Sequence, residues 1–362
     1  MVNYNKKLSE VISFLRFPLA VLVVLIHATL VYELHNGVPY INETETPIYC
    51  IIDFLFRKSI CSLSVPMFFF ISGMLFFWNI DKLDLDIYRK KIKSRFFSLF
   101  IPYVFWNLLI LIYISIVQQT FPGLMSAKNK LVCDYTVMDY MNCFWNMSLV
   151  NNAGGIFPID GPLWFVRDLV IMSVLSPIVY VLLSRIKVIG AVMIYLIWFF
   201  DVLGFLGNLS TAILFFSFGA YWGISKNNIL EKTSRYKKVA WGGYLILLFM
   251  AVLFKDIDMP YLYKLEKTFG FIAILWLAVY LSERIQVNNE FVGSTFIIFA
   301  IHSDILKVLI KVFIKLTPLH NDIIYVAAYF TFALITIIIS ILVYRILNKY
   351  VPSFCSIISG GR

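Results

Sequence analysis

The chain has 362 residues, of which 60% are hydrophobic and only 14% charged, against roughly a quarter charged in ordinary soluble domains. A soluble core cannot absorb that much apolar surface, and it comes in long uninterrupted blocks, so lipid is the solvent. The formal net charge of +10 does not point to nucleic acid, because a polytopic membrane protein collects Lys and Arg in its cytoplasmic loops for topological reasons.

Blocks long enough to cross roughly 30 Å of hydrocarbon fall near 11–34, 59–78, 96–117, 163–184, 186–203, 209–225, 239–254, 268–282, 291–314 and 323–344. They predict an all-α, polytopic integral membrane protein of about ten transmembrane helices, built as one domain over 1–362 with a short tail at 346–362. Lys6 and Lys7 ahead of the first apolar run imitate a signal peptide. Arg16 and His27 interrupt that run and no A-x-A site follows, so it reads as an uncleaved helix. An earlier start is open for the second block, because residues 48–58 are apolar apart from Asp53, Arg57 and Lys58. Residues 118–161 read as an external loop with room for a short helix.

Basic residues set the orientation. Lys82 to Arg95, Arg185 with Lys187, Lys226 to Lys238, and Arg345 with Lys349 all fall on one side of alternating blocks. That side is cytoplasmic, and both termini with it. The five cysteines, Cys50, Cys61, Cys133, Cys143 and Cys355, form no CxxC pair and no metal-ligand spacing with the histidines, so no metal is implied. Cys133 and Cys143 share one external loop, and nothing in the sequence requires them to pair.

An ionisable group inside a span costs several kcal/mol on most estimates, roughly 2.5 or more, and is a functional candidate until a partner accounts for it. Arg16 and His27 are eleven residues apart, which puts both on one face of the first helix about 16 Å apart along its axis. Ala20 and Val23 lie between them and make that face slim, like a channel wall. Arg16 at the inner end suits an anionic ligand. His27, nearer the outside, suits general-base work, since imidazole titrates near pH 6.5 in water. The competing structural reading has Arg16 snorkelling to headgroups and His27 bonding a neighbouring helix.

These residues also carry a resemblance. SFLRFPLAVLVVLIHA, VPMFFFISGMLFFW, SRFFSLFIPY with Arg95 and Pro102, GPLWFVRDLV with Trp164, and FAIHSDIL with His302 keep the motifs and order of another group of proteins. The chain resembles the membrane acyltransferase-3 family, the O-acetylases of bacterial surface polysaccharides. That likeness implies catalytic roles for His27 and Arg16 and acyl transfer from acetyl-CoA, used as a substrate with no bound cofactor, to a hydroxyl of a polysaccharide or exopolysaccharide sugar. It implies a multi-pass protein of the cytoplasmic (inner) membrane whose partners are membrane lipid and a carbohydrate acceptor. The chain looks like the short members, without a C-terminal extracytoplasmic domain. His27 serves either as base or as a transient acyl carrier.

Within that expectation the CoA phosphates fall to Arg16, Arg95 and Lys91, from the basic cluster of Lys90, Lys91, Lys93 and Arg95. Trp164, Arg167 and Asp168, at i, i+3 and i+4, share a face near the outer surface and make an acceptor site, with anchoring by an interfacial Trp and an ion pair as the rival account. His302 orients His27 or the acceptor. Lys307, Lys311 and Lys315 form a stripe on the outer half of the ninth block that either draws an anionic acceptor or snorkels. Asp53 and Arg57, four apart, make an internal ion pair. The rival from another class is a polysaccharide or lipid-linked-sugar transporter. The Arg16/His27 pair and the lack of an internal repeat speak against it.

Overall fold

The computed structural model describes residues 2–35, 37–120, 129–151, 155–317 and 321–361. The described residues are helical almost throughout: α1 (Val2–His27), α2 (Pro47–Phe77), α3 (Leu85–Thr120), α4 (Trp164–Val174), α5 (Ser176–Phe199), α6 (Asn208–Ser225), α7 (Lys237–Leu253), α8 (Pro260–Ser282), α9 (Asn289–Leu316), α10 (Asp322–Tyr350) and α11 (Pro352–Ile358). Six of these, α1, α2, α3, α5, α8 and α10, are long and apolar enough to cross a membrane. Each predicted block overlaps a helix, but the ends differ, and the block 163–184 runs across the join between α4 and α5. α1 stops at His27 rather than near 34, and a two-stranded hairpin (Leu34–His35 with Val38–Pro39) follows. The cause is a distant partner: the Tyr49 hydroxyl accepts from Leu30 N at 2.7 Å, satisfying backbone that has left the helix.

α2 starts at Pro47, as the earlier alternative allowed, and is irregular. Phe54–Ile60 forms a π-helical stretch and Cys61–Leu63 a 3₁₀ turn before the α-helix resumes. α3 carries the basic cluster as helix, with Asp84 capping its start on Ile87 N, and has its own π segment at Phe96–Phe100. Ser176-Pro177 explains the join between α4 and α5, because proline fits a first helical turn and not an interior one. Lys187, at φ 45° and ψ −122°, breaks α5 where two predicted blocks were separated.

α2 and α6 make the most extensive contact between helices. A Cβ on Gly73 would strike the Phe216 carbonyl, and one on Gly219 the Phe70 carbonyl. These positions are the small-residue packing expected where the driving force is close fit in lipid. Arg345 clamps Glu290 with two contacts of 2.6 and 3.2 Å, tying α10 to the start of α9. The tail is packed: Cys355 and Ile358 of α11 are buried, and Trp106 Nε1 donates to the Ile358 carbonyl at 3.0 Å. The 118–161 segment, read from the sequence as an external loop, holds two short helices, Val137–Cys143 with a Thr136/Asp139 capping box and Ser148–Asn151. Lys128 lies outside the described residues. Cys133 and Cys143 are both free.

Candidate active site

Arg16 reaches one cavity and His27 another. The inner one, about 90 Å³, is lined by Arg16, Arg95, Ser72, Thr295 and aromatic rings. Among the described residues neither guanidinium has an ion-pair or hydrogen-bond partner; Arg95 lies 5.8 Å from the centre of the Phe76 ring. Two cations without a partner among the described residues face one cavity, beside a Ser72 hydroxyl that is buried and unpartnered; an anion there would neutralise the charges and meet the hydroxyl. Lys91 does not line the cavity, but its ammonium lies 6.0 Å from the same Phe76 ring, next to Arg95. Of the three residues that the sequence grouped, the fold brings Arg16 and Arg95 to one cavity and leaves Lys91 beside Arg95 but off its lining.

The outer cavity, about 410 Å³, is lined by His27, Thr29, Tyr32, Glu33, Arg57, Lys58, Ser303 and Lys307, among others. His27 is exposed to it. The stripe between Arg16 and His27 is no channel wall: Ala20 and Val23 are buried against neighbouring helices. What separates the cavities is aromatic. Phe68, Phe165 and Phe299 pack with ring centroids 5.2–6.1 Å apart, all three facing the inner cavity.

His302 sits between the two. Its ring is fully buried, 6.0 Å from Phe299 and 5.1 Å from His27. Its Nδ1 lies 3.0 Å from the Ile298 carbonyl and 2.9 Å from that of Phe299. Carbonyls only accept, so Nδ1 carries the proton and Nε2 is the bare nitrogen, buried without a partner. The predicted His27–His302 neighbourhood is therefore real.

Trp164, Arg167 and Asp168 lie elsewhere. Arg167 binds Asp168 through Nε and Nη2, each at 2.9 Å, and donates from Nη1 to the backbone carbonyls of Trp145 at 2.6 Å and Ile156 at 3.1 Å, with the Trp145 ring 5.2 Å away. Trp164 packs toward Phe69. Arg167 and Asp168 are buried and line neither cavity; they hold the external loop to α4. Nearby, Asp160 is buried with Oδ2 unpartnered, and burial raises its pKa well above the usual carboxylate range, with the Asp304 charge adding and Lys307 opposing. Sequence reasoning did not select Tyr32, Glu33 or Lys58. Thr29, Tyr32 and Glu33 interrupting the apolar run after His27 were the available signal, obscured by counting residues 28–34 as helix.

Long apolar helices mark an integral membrane protein, and they bring a buried histidine, His302, against a cavity-facing one, His27, with two cations sharing a separate pocket. A family model described as an acyltransferase domain, that of acyltransferase-3, matches residues 10–345. The chain belongs to that family and is a membrane acyltransferase. No curated protein and no solved structure matches it.

Proposed function

We propose that the protein crosses the membrane ten times with both termini cytoplasmic and moves an acyl group, acetyl in the first instance, from acyl-CoA to a hydroxyl of a surface-glycan sugar. The observation that carries the reading is the pair of unpartnered guanidiniums, Arg16 and Arg95, in one cavity at the basic-loop end of the helices. Phosphates of CoA suit it by charge and by the planar fork of arginine. At about 90 Å³ the cavity is below the roughly 300–1,000 Å³ of small-molecule sites, so the donor enters as the Phe68/Phe165/Phe299 cluster opens toward His27.

In the transfer step the acceptor O–H gives its proton to His27 as its oxygen attacks the thioester carbonyl. The C–S bond breaks, and the leaving sulfur takes the proton back from the imidazolium. In the covalent variant of the same chemistry, the acyl group rests on His27 before the hydroxyl takes it. His302 is a positioning residue: its bare Nε2 is placed to receive an N–H from His27, which leaves the other His27 nitrogen free to accept the acceptor's proton. The test is purified protein in detergent with acetyl-CoA and a glycan acceptor. Stoichiometric CoA release with acylated glycan is expected; acceptor movement across a bilayer without CoA consumption would replace the enzyme with a carrier.

A further inference from the structure

The outer cavity is lined by more cations than carboxylates. Its wall holds Arg57, Lys58 and Lys307 against one carboxylate, Glu33. Two further carboxylates stand behind the cations and outside the lining: Asp53, buried, pairs with Arg57 at 2.8 Å, and Asp304 pairs with Lys307 at 3.1 Å. Arg57 donates from Nε to Asp53 Oδ2 and from Nη1 to the Tyr32 hydroxyl, each at 2.8 Å, which leaves its Nη2 uncommitted among the described residues. Lys58 is exposed and has no hydrogen-bond or ion-pair partner among the described residues.

The backbone is shaped to present this group. Arg57 and Lys58 are consecutive within the π-helical stretch Phe54–Ile60, and such segments cost helix stability and concentrate at functional sites. From the far wall Lys307 joins them, and Lys311 and Lys315 continue outward from it on α9, both exposed. The result is a basic track that ends beside His27. Such a track concentrates anions at its mouth.

We propose that the acceptor carries an oxyanion, a carboxylate or a phosphate, and that Arg57, Lys58 and Lys307 take it in the outer cavity with the hydroxyl to be acylated turned toward His27. This deepens the acyltransferase reading and rests on it. A sugar acid and a sugar phosphate share the chemistry, and Tyr32, exposed beside Arg57, offers an aromatic face for the ring that bears it.

The experiment uses full-length protein in phosphatidylcholine nanodiscs and three probes: octyl glucoside, octyl glucuronide, which differs by a carboxylate, and glucose 6-phosphate. Binding is read by thermophoresis, which needs no transfer, and CoA release is followed in parallel. At least one anionic probe binds about tenfold or more tightly than the glucoside, and which of the two does so separates sugar acid from sugar phosphate. The advantage shrinks as salt rises from about 50 to about 500 mM. Lys58→Gln lowers it several-fold and Lys58→Gln with Lys307→Gln abolishes it; Arg57 is left intact, since its loss would strand buried Asp53. The salt series on unaltered protein decides the matter even if the variants fold poorly. Equal affinity for charged and neutral probes, or a preference untouched by salt and by both substitutions, overturns the proposal. Charge-selective binding with no CoA release supports the anion site and refutes the transferase; CoA release that is equally fast with the glucoside does the reverse.

Discussion

Replacing Arg16 by Gln probes the donor cavity from two directions. Arg16 and Arg95 share a cavity with no carboxylate to offset them, so the empty protein holds two like charges close together. At an effective dielectric near 20 such a pair repels by on the order of 1–2 kcal/mol. A bound polyanion converts that repulsion into charge-assisted contacts worth about 1.5–3 kcal/mol each. Arg16→Gln is therefore expected to raise the melting temperature of the empty protein by about 1–3 °C while weakening acetyl-CoA about 10- to 100-fold. Arg16→Lys falls between, because an ammonium keeps the charge and loses the fork. Thermal denaturation in detergent with and without CoA, alongside saturation binding of labelled acetyl-CoA, reads both effects. Unchanged acetyl-CoA affinity, or an empty protein that becomes less stable, would refute the donor assignment.

His27→Gln keeps a hydrogen-bonding side chain but cannot take a proton near neutral pH, so transfer should fall by about 10²–10⁴ with normal insertion; a loss of a few-fold would leave His27 a structural role. His302→Gln should cost less, on the order of tenfold, and a larger loss than at His27 would reverse the two assignments. Phe299→Ala removes one ring of the partition between the cavities and is expected to raise acetyl-CoA hydrolysis by water without acceptor; no increase would locate the barrier elsewhere. Asp160 gives a pH dependence. Its folded pKa lies above its unfolded value of about 3.9, so between the two the folded state holds a proton that the unfolded state has released, and stability falls as pH rises through that window. Asp160→Asn should match the parent in melting temperature near pH 4 and exceed it increasingly toward about pH 8; a constant gap would show that the carboxyl ionises freely.

The helices were legible because the apolar blocks are long and the breaks carry local signals. The basic pair Arg185 and Lys187 falls between two predicted blocks and marks a real interruption, whereas the join at Ser176-Pro177 lies inside the predicted block 163–184 and was missed. Arg16 and His27 stood out because nothing apolar explains a charge or an imidazole in a span, and the family motifs supplied Arg95 and His302. What failed was non-local. The i, i+3, i+4 pattern at Trp164, Arg167 and Asp168 is the same whether the guanidinium meets a ligand or the carbonyls of Trp145 and Ile156. The end of α1 depends on a hydroxyl nineteen residues away. Lys58 and Lys307 become neighbours only through the packing of α1, α2 and α9, and in sequence each reads as an ordinary snorkelling lysine.

Both cavities lie beside an irregular turn of helix, and that coincidence orders the rest of the site. The π stretch Phe54–Ile60 carries Arg57 and Lys58 to the outer cavity, while the π stretch Phe96–Phe100 begins directly after Arg95 and supplies Leu99 to the inner one. Each residue contributes about 100°, so taking up one extra residue in a π segment re-aims the side chains that follow by roughly a quarter of a turn relative to a regular helix. Poorer helical geometry is thus retained where cations must face a cavity. Each half also keeps polar atoms unsatisfied: Ser72 Oγ beside the inner cavity, Asp53 Oδ1 behind the outer one, and His302 Nε2 between. Unmet hydrogen-bonding capacity costs about 1–3 kcal/mol per group; of the three, Ser72 lines a cavity itself, so a ligand held there by Arg16 and Arg95 would also satisfy its hydroxyl.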